Sequence, residues 1–348
     1  MLKKFRSPGY NYNFDTQTGF FARWGNTPEE DPQMAPFPEI ADIEISTVCH
    51  QMCKACYKGL SPTGKNMSLA TFKLLMDKLP SSLLQIAFGV GTLDANPDVW
   101  SIFEHCRSKG VTPNVTINGY RMTPGHYDNL ARLCGAVAVS HYSDDACFNA
   151  VKELTDRGLK QVNIHQLLAE ETLADCHRLI DAKNTDSRLE KLNAIVFLLL
   201  KPKGERNTLN NITNRESYVE LVRHAVDSGI SFGFDSCFAP IFMDIAPDVF
   251  PQHKLDQILN SCEPCESFGL FSCYVDVDCN YHPCSFCPGS TEWGDGINIL
   301  DVDDFVKDIW LGCRVSALRN KSLACGRRCL PYPSVYRGVL SVPFATKR

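Results

Sequence analysis

Three cysteines in one short segment, Cys49-His50-Gln51-Met52-Cys53-Lys54-Ala55-Cys56, carry the strongest chemical signal in the chain. Thiolates at CxxxCxxC spacing can each bind a different iron of a [4Fe–4S] cube and leave the fourth iron open. Short Cys spacings also suit a zinc knuckle lacking its fourth ligand, or a set of buried thiols. His50 is a poor fourth zinc ligand, because its neighbour Cys49 would already be bound. Among the 348 residues there are 17 cysteines, ten of them between Cys237 and Cys329. The start of the chain, with Lys3, Lys4 and Arg6 around a Ser-Pro-Gly turn, lacks the apolar centre of an export signal, so a cytoplasmic location is expected. Reduced, clustered thiols then point to metal or iron–sulfur chemistry rather than disulfides.

The elements that must position these thiols follow from the hydrophobic rhythm. With 44% hydrophobic and 22% charged residues the composition is that of a folded protein, and a net charge of −5 gives no global drive toward nucleic acid or anionic lipid. Apolar runs such as Ala194 to Leu200 fall far short of the ~20 residues that span a bilayer, so no membrane partner is expected. Residues 1–40 show no sustained periodicity and read as an irregular arm. Strand-like runs then alternate with helical patterns. Strands are expected at Ile43 to Val48, Leu84 to Phe88, Asn114 to Ile117, Ala136 to Ser140, Gln161 to Leu167, Ala194 to Leu200 and Ile230 to Phe234. Such alternation implies parallel pairing through right-handed crossovers, in an open doubly wound sheet or a full or partial barrel. In either case the ligand site belongs at the carboxyl ends of the strands, where the three-cysteine loop sits. From Cys237 turn residues dominate, with a short helix expected at Asp303 to Leu311. The chain therefore divides into an arm (1–40), an α/β body (41–236), a cysteine-rich module (237–335) and a tail (336–348).

CxxxCxxC after the first strand of a parallel α/β body resembles the radical S-adenosylmethionine (SAM) superfamily. The resemblance implies a partial (β/α)6 TIM-like barrel, with Cys49, Cys53 and Cys56 holding a [4Fe–4S] cluster whose open iron chelates SAM. It also implies a 5′-deoxyadenosyl radical that abstracts hydrogen from an unactivated carbon, and a reductant such as flavodoxin or ferredoxin. Phe88-Gly89-Val90-Gly91-Thr92 is similar to the family's Gly-Gly-Glu-Pro segment, with Thr92 where the acid stands, and assigns Gly89 and Gly91 to the SAM amine. Asn114 to Gly119 is similar to the Thr-Asn-Gly strand end, so Thr116 and Asn118 are expected to line the cavity. Ser140, Asn163 and His165 fall where relatives present polar groups to SAM, although each also suits a capping or satisfied core polar residue. No side chain is assigned as a catalytic acid or base.

The segment from Cys273 through Cys284 and Cys287 to Cys325 and Cys329 looks like the SPASM/twitch extension of radical SAM enzymes. That resemblance implies an auxiliary [4Fe–4S] cluster with these five as its ligand candidates. Cys237 reads as an auxiliary ligand, a hydrogen-atom donor or a buried thiol. A zinc ribbon from Cys262, Cys265, Cys284 and Cys287 is the competing structural reading, and with it a non-catalytic zinc-binding interaction protein.

The compact layout and short arm are similar to radical SAM proteins encoded by large bacteriophages, which would put the protein in host cytoplasm. Among them, the isomerases of thymidine hypermodification suggest a narrow reading: conversion of an N-linked glycyl-thymidine to its Cα-linked form in phage DNA. Phosphate contacts would then fall to the basic arm and to Lys201, Lys203 and Arg206. The alternative is a SPASM-type peptide or protein maturase.

Overall fold

Alternating apolar and polar residues in Tyr10-Asn11-Tyr12-Asn13-Phe14-Asp15 build a strand with one buried face, and this segment is the middle of a small sheet. In the computed structural model, which describes residues 2–290 and 293–340, β1 (Leu2–Ser7), β2 (Tyr10–Asp15) and β3 (Phe21–Trp24) pair antiparallel. The arm expected to be irregular is therefore a three-stranded meander. Its Asn and Gly residues disguise a two-residue period that Tyr10, Tyr12 and Phe14 keep.

The body follows as seven parallel strands joined by six helices. The strands are β4 (Ile40–Glu44), β5 (Gln85–Gly89), β6 (Thr112–Ile117), β7 (Ala136–Ser140), β8 (Gln161–Leu168), β9 (Ala194–Leu199) and β10 (Phe232–Phe234). Between them run α1 (Leu69–Lys78), α2 (Val99–Ser108), α3 (Pro124–Leu133), α4 (Asp144–Asp156), α5 (Leu173–Thr185) and α6 (Arg215–Asp227). Local capping fixes several helix starts: Ser68 accepts from Thr71 N, and Thr123 and His126 form a reciprocal box ahead of α3. Alternate strand residues such as Val115, Val137, Val139 and Phe197, and Ile86, Phe88, Val162 and Ile164 in β5 and β8, are buried under the helices. Their neighbours, such as Asp42, Glu44, Thr116, Ser140 and His165, face the other way, into the lumen. Cys106, Cys134, Cys147 and Cys176 are buried helix-side or strand-end thiols, held protonated by burial, and serve as small core residues.

The first strand lies earlier than expected and stops at Glu44. Beyond it Ser46 and Val48 make only isolated bridges to Asn66 and Ser61.

The cysteine-rich part begins with α7 (Ala239–Val249) and α8 (Gln252–Asn260). It then returns to the body: β11 (Ser272–Val275) pairs parallel with β4, Ser272 opposite Ile40, and β12 (Asn280–His282) and β13 (Ile297–Asn298) continue antiparallel. One sheet thus runs β10-β9-β8-β7-β6-β5-β4-β11-β12-β13 without closing. The helix expected at 303–311 is a wide turn over Phe305–Trp310, followed by α9 (Cys313–Ala324). The tail beyond residue 340 lies outside the described residues.

The N-terminal sheet covers the amino ends of the barrel strands. Gln161 at the start of β8 donates to Thr18 O (2.9 Å), Lys3 bonds Gly110 O ahead of β6, and Tyr10, Tyr12 and Phe14 pack with Leu84, Leu270 and Phe271. Arg23, enclosed over the Phe271 ring at 3.7 Å, pairs with Glu39 (3.0 Å), Glu263 (2.8 Å) and Glu266 (3.2 Å) and so ties arm, body and module together. Among the described residues no helix is long and apolar enough to cross a membrane.

Candidate active site

The loop after β4 carries Cys49, Cys53 and Cys56 over the carboxyl end of the barrel. Backbone bonds from Cys49 N to Ser61 O (2.9 Å) and from Thr92 N to Val48 O (3.1 Å) hold it down. Two glycines let the backbone come this close. A Cβ at Gly91 would stand 2.4 Å from both Cys49 Cβ and Val48 O. At Gly204, whose φ is +103°, it would stand 2.4 Å from Cys56 O. The Cys53 thiol lies close to those of Cys49 and Cys56. Burial raises Cys53, the Tyr142 hydroxyl within hydrogen-bonding reach opposes that rise, and Cys49 and Cys56 add to it. Ser140 reaches the same Tyr142 hydroxyl.

Register sorts the other expected residues by height. Ser140 lies opposite His165, whereas Thr116 and Asn163 flank Ala138, two residues lower. Asn118 lies just past the end of β6 and donates to Gly91 O at 3.3 Å. Asn118, Ser140 and His165 therefore belong to the mouth near the cysteine loop, and Gly89, ending β5, packs on Glu44. Asn163 does not: its amide oxygen accepts from Asn193 (2.8 Å) at the foot of β9, a satisfied polar residue of the lower lumen. Burial lowers the His165 pKa to about 4, with Asp235 partly opposing, so the ring is neutral at physiological pH.

A second group of thiols lies under the module. Cys284 and Cys287 share a hydrogen bond, which lowers Cys284 to about 7 and raises Cys287. A hydrogen bond with Cys237 raises Cys329, and Cys265 lies close to Cys237 and Cys284. The structure thus gathers Cys237, Cys265, Cys284, Cys287 and Cys329. Of the auxiliary ligands expected from sequence, Cys273 and Cys325 stand apart. Cys273 has Asp42 as its charged neighbour, and Cys325 bonds Ser322 O (3.2 Å). Cys262, needed for a zinc ribbon, also stands apart, its thiol on Ile258 O at 3.2 Å. Among the described residues no three His, Cys, Asp or Glu side chains are drawn tightly around one metal position. The donor set is nevertheless right for cubes, whose thiolates each meet a different iron and stand wider than the ligands of one zinc.

Lysines join the two groups. Lys201, its side chain 3% exposed, is ion-paired with Asp235. Burial alone would lower its pKa, but Asp235, Cys237 and Cys329 raise it on balance. Lys203 donates to Phe286 O (3.1 Å) and Pro288 O (3.0 Å), fastening the Cys284–Cys287 loop, and Arg206 donates to Leu60 O (2.9 Å). These three cations, expected to meet phosphate, are spent on internal contacts. Sequence reasoning missed Tyr142 and Asp235, although Tyr142 continues the two-residue alternation of Ala138 and Ser140.

No family model matches the chain, and no curated protein matches it in sequence. Solved structures do match in three dimensions. Streptococcus suis SuiB bound to precursor peptide SuiA aligns over 82% of this chain and 67% of its own, with 13% identity and a TM-score of 0.62. SuiB bound to S-adenosylmethionine gives 12% identity and 0.60, over 82% and 66%. The anSMEcpe protein with bound AdoMet and Cp18Cys peptide gives 13% identity and 0.57, over 88% and 92%. The chain has the fold of SuiB and anSMEcpe. Within that fold, the expected barrel-plus-module architecture holds, and the module adds its strand directly to the first barrel strand.

Proposed function

We propose that this protein is a radical SAM enzyme that abstracts a hydrogen atom from its substrate. The observation that carries the reading is the three-thiol loop, pressed by Gly91 and Gly204 onto the carboxyl end of β4 and facing a polar mouth. Cys49, Cys53 and Cys56 would hold a [4Fe–4S] cluster, and the gathered thiols of the module would hold an auxiliary one, five donors being one more than a cube takes. With SAM bound and an electron from a flavodoxin- or ferredoxin-like donor, such a cluster supplies a 5′-deoxyadenosyl radical. The chain's own part is positioning. Asn118 braces the Gly91 carbonyl, Ser140 and Tyr142 hold the Cys53 side of the loop, and neutral His165 offers one donor and one acceptor without adding charge.

A peptide or protein substrate is favoured over modified thymidine in DNA. SuiB and anSMEcpe, which share the fold, were solved with peptides. The basic arm, which DNA would need for phosphate contacts, covers the opposite end of the barrel from the cysteine loop. The isomerase reading is left with no basic surface near the mouth from the residues assigned to it.

Anaerobic reconstitution tests the reading. The unaltered chain should be brown, carry about eight irons and release 5′-deoxyadenosine from SAM under reduction. The Cys49→Ala/Cys53→Ala/Cys56→Ala variant should keep about four irons and release none. Colourless, zinc-loaded protein would favour the interaction-protein alternative. Product analysis with glycyl-thymidine DNA against peptides separates the two substrates.

A further inference from the structure

Of the barrel strands β4 to β10, only β4 carries acids, Asp42 and Glu44 on its inner face, and Asp235 follows directly after β10. None of these strands carries Lys or Arg. Glu44 and Asp235 are already paired. Glu44 Oε1 lies 3.5 Å from Lys58 Nζ and its Oε2 accepts from the Tyr274 hydroxyl (3.0 Å), and Asp235 is ion-paired with Lys201. Asp42 is the exception: it has neither a hydrogen bond nor an ion pair among the described residues.

Asp42 is deep in the protein. Burial raises its pKa to about 6, with Lys58 opposing the rise and Glu266 adding to it. Even so the residue keeps accessible surface, and on the inner face of a strand with β5 on one side and β11 on the other, that surface opens to the lumen. A carboxylate at such depth without a partner is costly, and a cation relieves the cost. The way down to it is clear on the β5 side. Register puts Ala87 opposite Asp42 and Gly89 opposite Glu44, so no bulky side chain of β5 stands beside either acid. Asp42 lies two residues before Glu44, the last residue of β4, which is ~7 Å of strand below the mouth. A guest reaching that depth with its charge at the tip needs a thin, unbranched, apolar stem, and the side chains of Lys and Arg have one.

We propose that Asp42 receives the cationic tip of a substrate side chain, which makes the lumen selective for peptides that present Lys or Arg to it. The proposal rests on the radical SAM reading for its place in the reaction, but the binding can be measured without turnover.

The probe pair is Nα-acetyl-lysinamide and Nα-acetyl-norleucinamide, alike in their stems, titrated by calorimetry into the anaerobically reconstituted full chain with SAM present and no reductant. The lysine probe should bind at least about tenfold tighter than the norleucine probe. Asp42→Asn should erase that preference. Because Asp42 holds no partner, the same variant should be at least as stable to denaturant as the unaltered chain. Equal binding of the two probes to the unaltered chain would overturn the proposal, and this arm needs no variant to fold. So would an unchanged preference in Asp42→Asn, or a loss of stability there, which would make the carboxylate a structural partner. A lysine preference seen without SAM and lost with it would also overturn the proposal, by assigning Asp42 to the cationic groups of SAM. Lysine preference without SAM cleavage under reduction would sink the radical SAM reading alone; cleavage without the preference would sink the role of Asp42 alone.

Discussion

Gly91 and Cys49 are in contact through a gap that admits no side chain: a Cβ on residue 91 would sit 2.4 Å from Cys49 Cβ and as close to Val48 O. Both obstacles are backbone or Cβ atoms, so no rotamer change relieves the clash. Gly91→Ala should push the cysteine loop off the barrel rim, with overpacking of about 1–3 kcal/mol. The expected result is loss of the iron held by Cys49, Cys53 and Cys56, read as iron per chain, with the auxiliary iron retained. Unchanged iron in this variant would mean the loop tolerates displacement.

The module makes a separable prediction. Cys284→Ser and Cys287→Ser remove thiols that the structure places together with Cys237, Cys265 and Cys329. Because the five gathered donors exceed the four a cube takes, the double variant Cys284→Ser/Cys287→Ser, which leaves three, should lose the auxiliary iron, whereas Cys325→Ser and Cys273→Ser should retain it. Iron analysis with electron paramagnetic resonance of the reduced protein reads the difference. Iron lost with Cys325→Ser but kept with the double Cys284→Ser/Cys287→Ser variant would reverse the assignment.

These contrasts also mark what could be read in advance. The six βα units were legible because buried faces repeat locally, as in Gln161–Leu168, where every second residue is covered. The cysteine loop was legible because its three donors lie within eight residues of one another. The second thiol group was only half legible: Cys237 and Cys265 reach Cys284 through chain folding, and no spacing rule encodes that. Cys325 is the opposite case: it is close in sequence to Cys329, but after the turn at Gly326, where φ is +69°, its thiol sits on Ser322 O. The heights of Thr116 and Asn163 in the barrel needed the strand register, which hydrophobic period leaves undetermined.

Lys201 and Asp235 form a buried pair at the carboxyl ends of β9 and β10, beside the second thiol group. Removing one partner of such a pair leaves an uncompensated charge. Asp235→Asn should therefore cost about 3–5 kcal/mol, measured by denaturant unfolding. The double variant Lys201→Met/Asp235→Leu should recover much of that loss, because an apolar pair of similar volume carries no desolvation penalty. If Asp235→Asn were neutral, the pair would have to be open to solvent.

His165 gives the barrel a pH dependence whose direction is fixed by its surroundings. Burial lowers its pKa to about 4, below the ~6.5 of an unfolded histidine. Between those values the unfolded chain binds the proton and the folded chain does not, so stability is full above about pH 6.5 and falls as the pH drops toward 4. The loss assignable to this ring is on the order of 1–3 kcal/mol, the lower end applying if water entering the lumen screens it. Asp235, which favours the charged ring, limits the effect. His165→Gln should flatten that part of the pH–stability curve while leaving stability near pH 7.5 little altered. Carbon-detected titration of the imidazole in the folded chain should find its midpoint well below 6.5. A midpoint at or above 6.5 would mean that the ring reaches solvent or a carboxylate more closely than the packing against β7 and β9 allows.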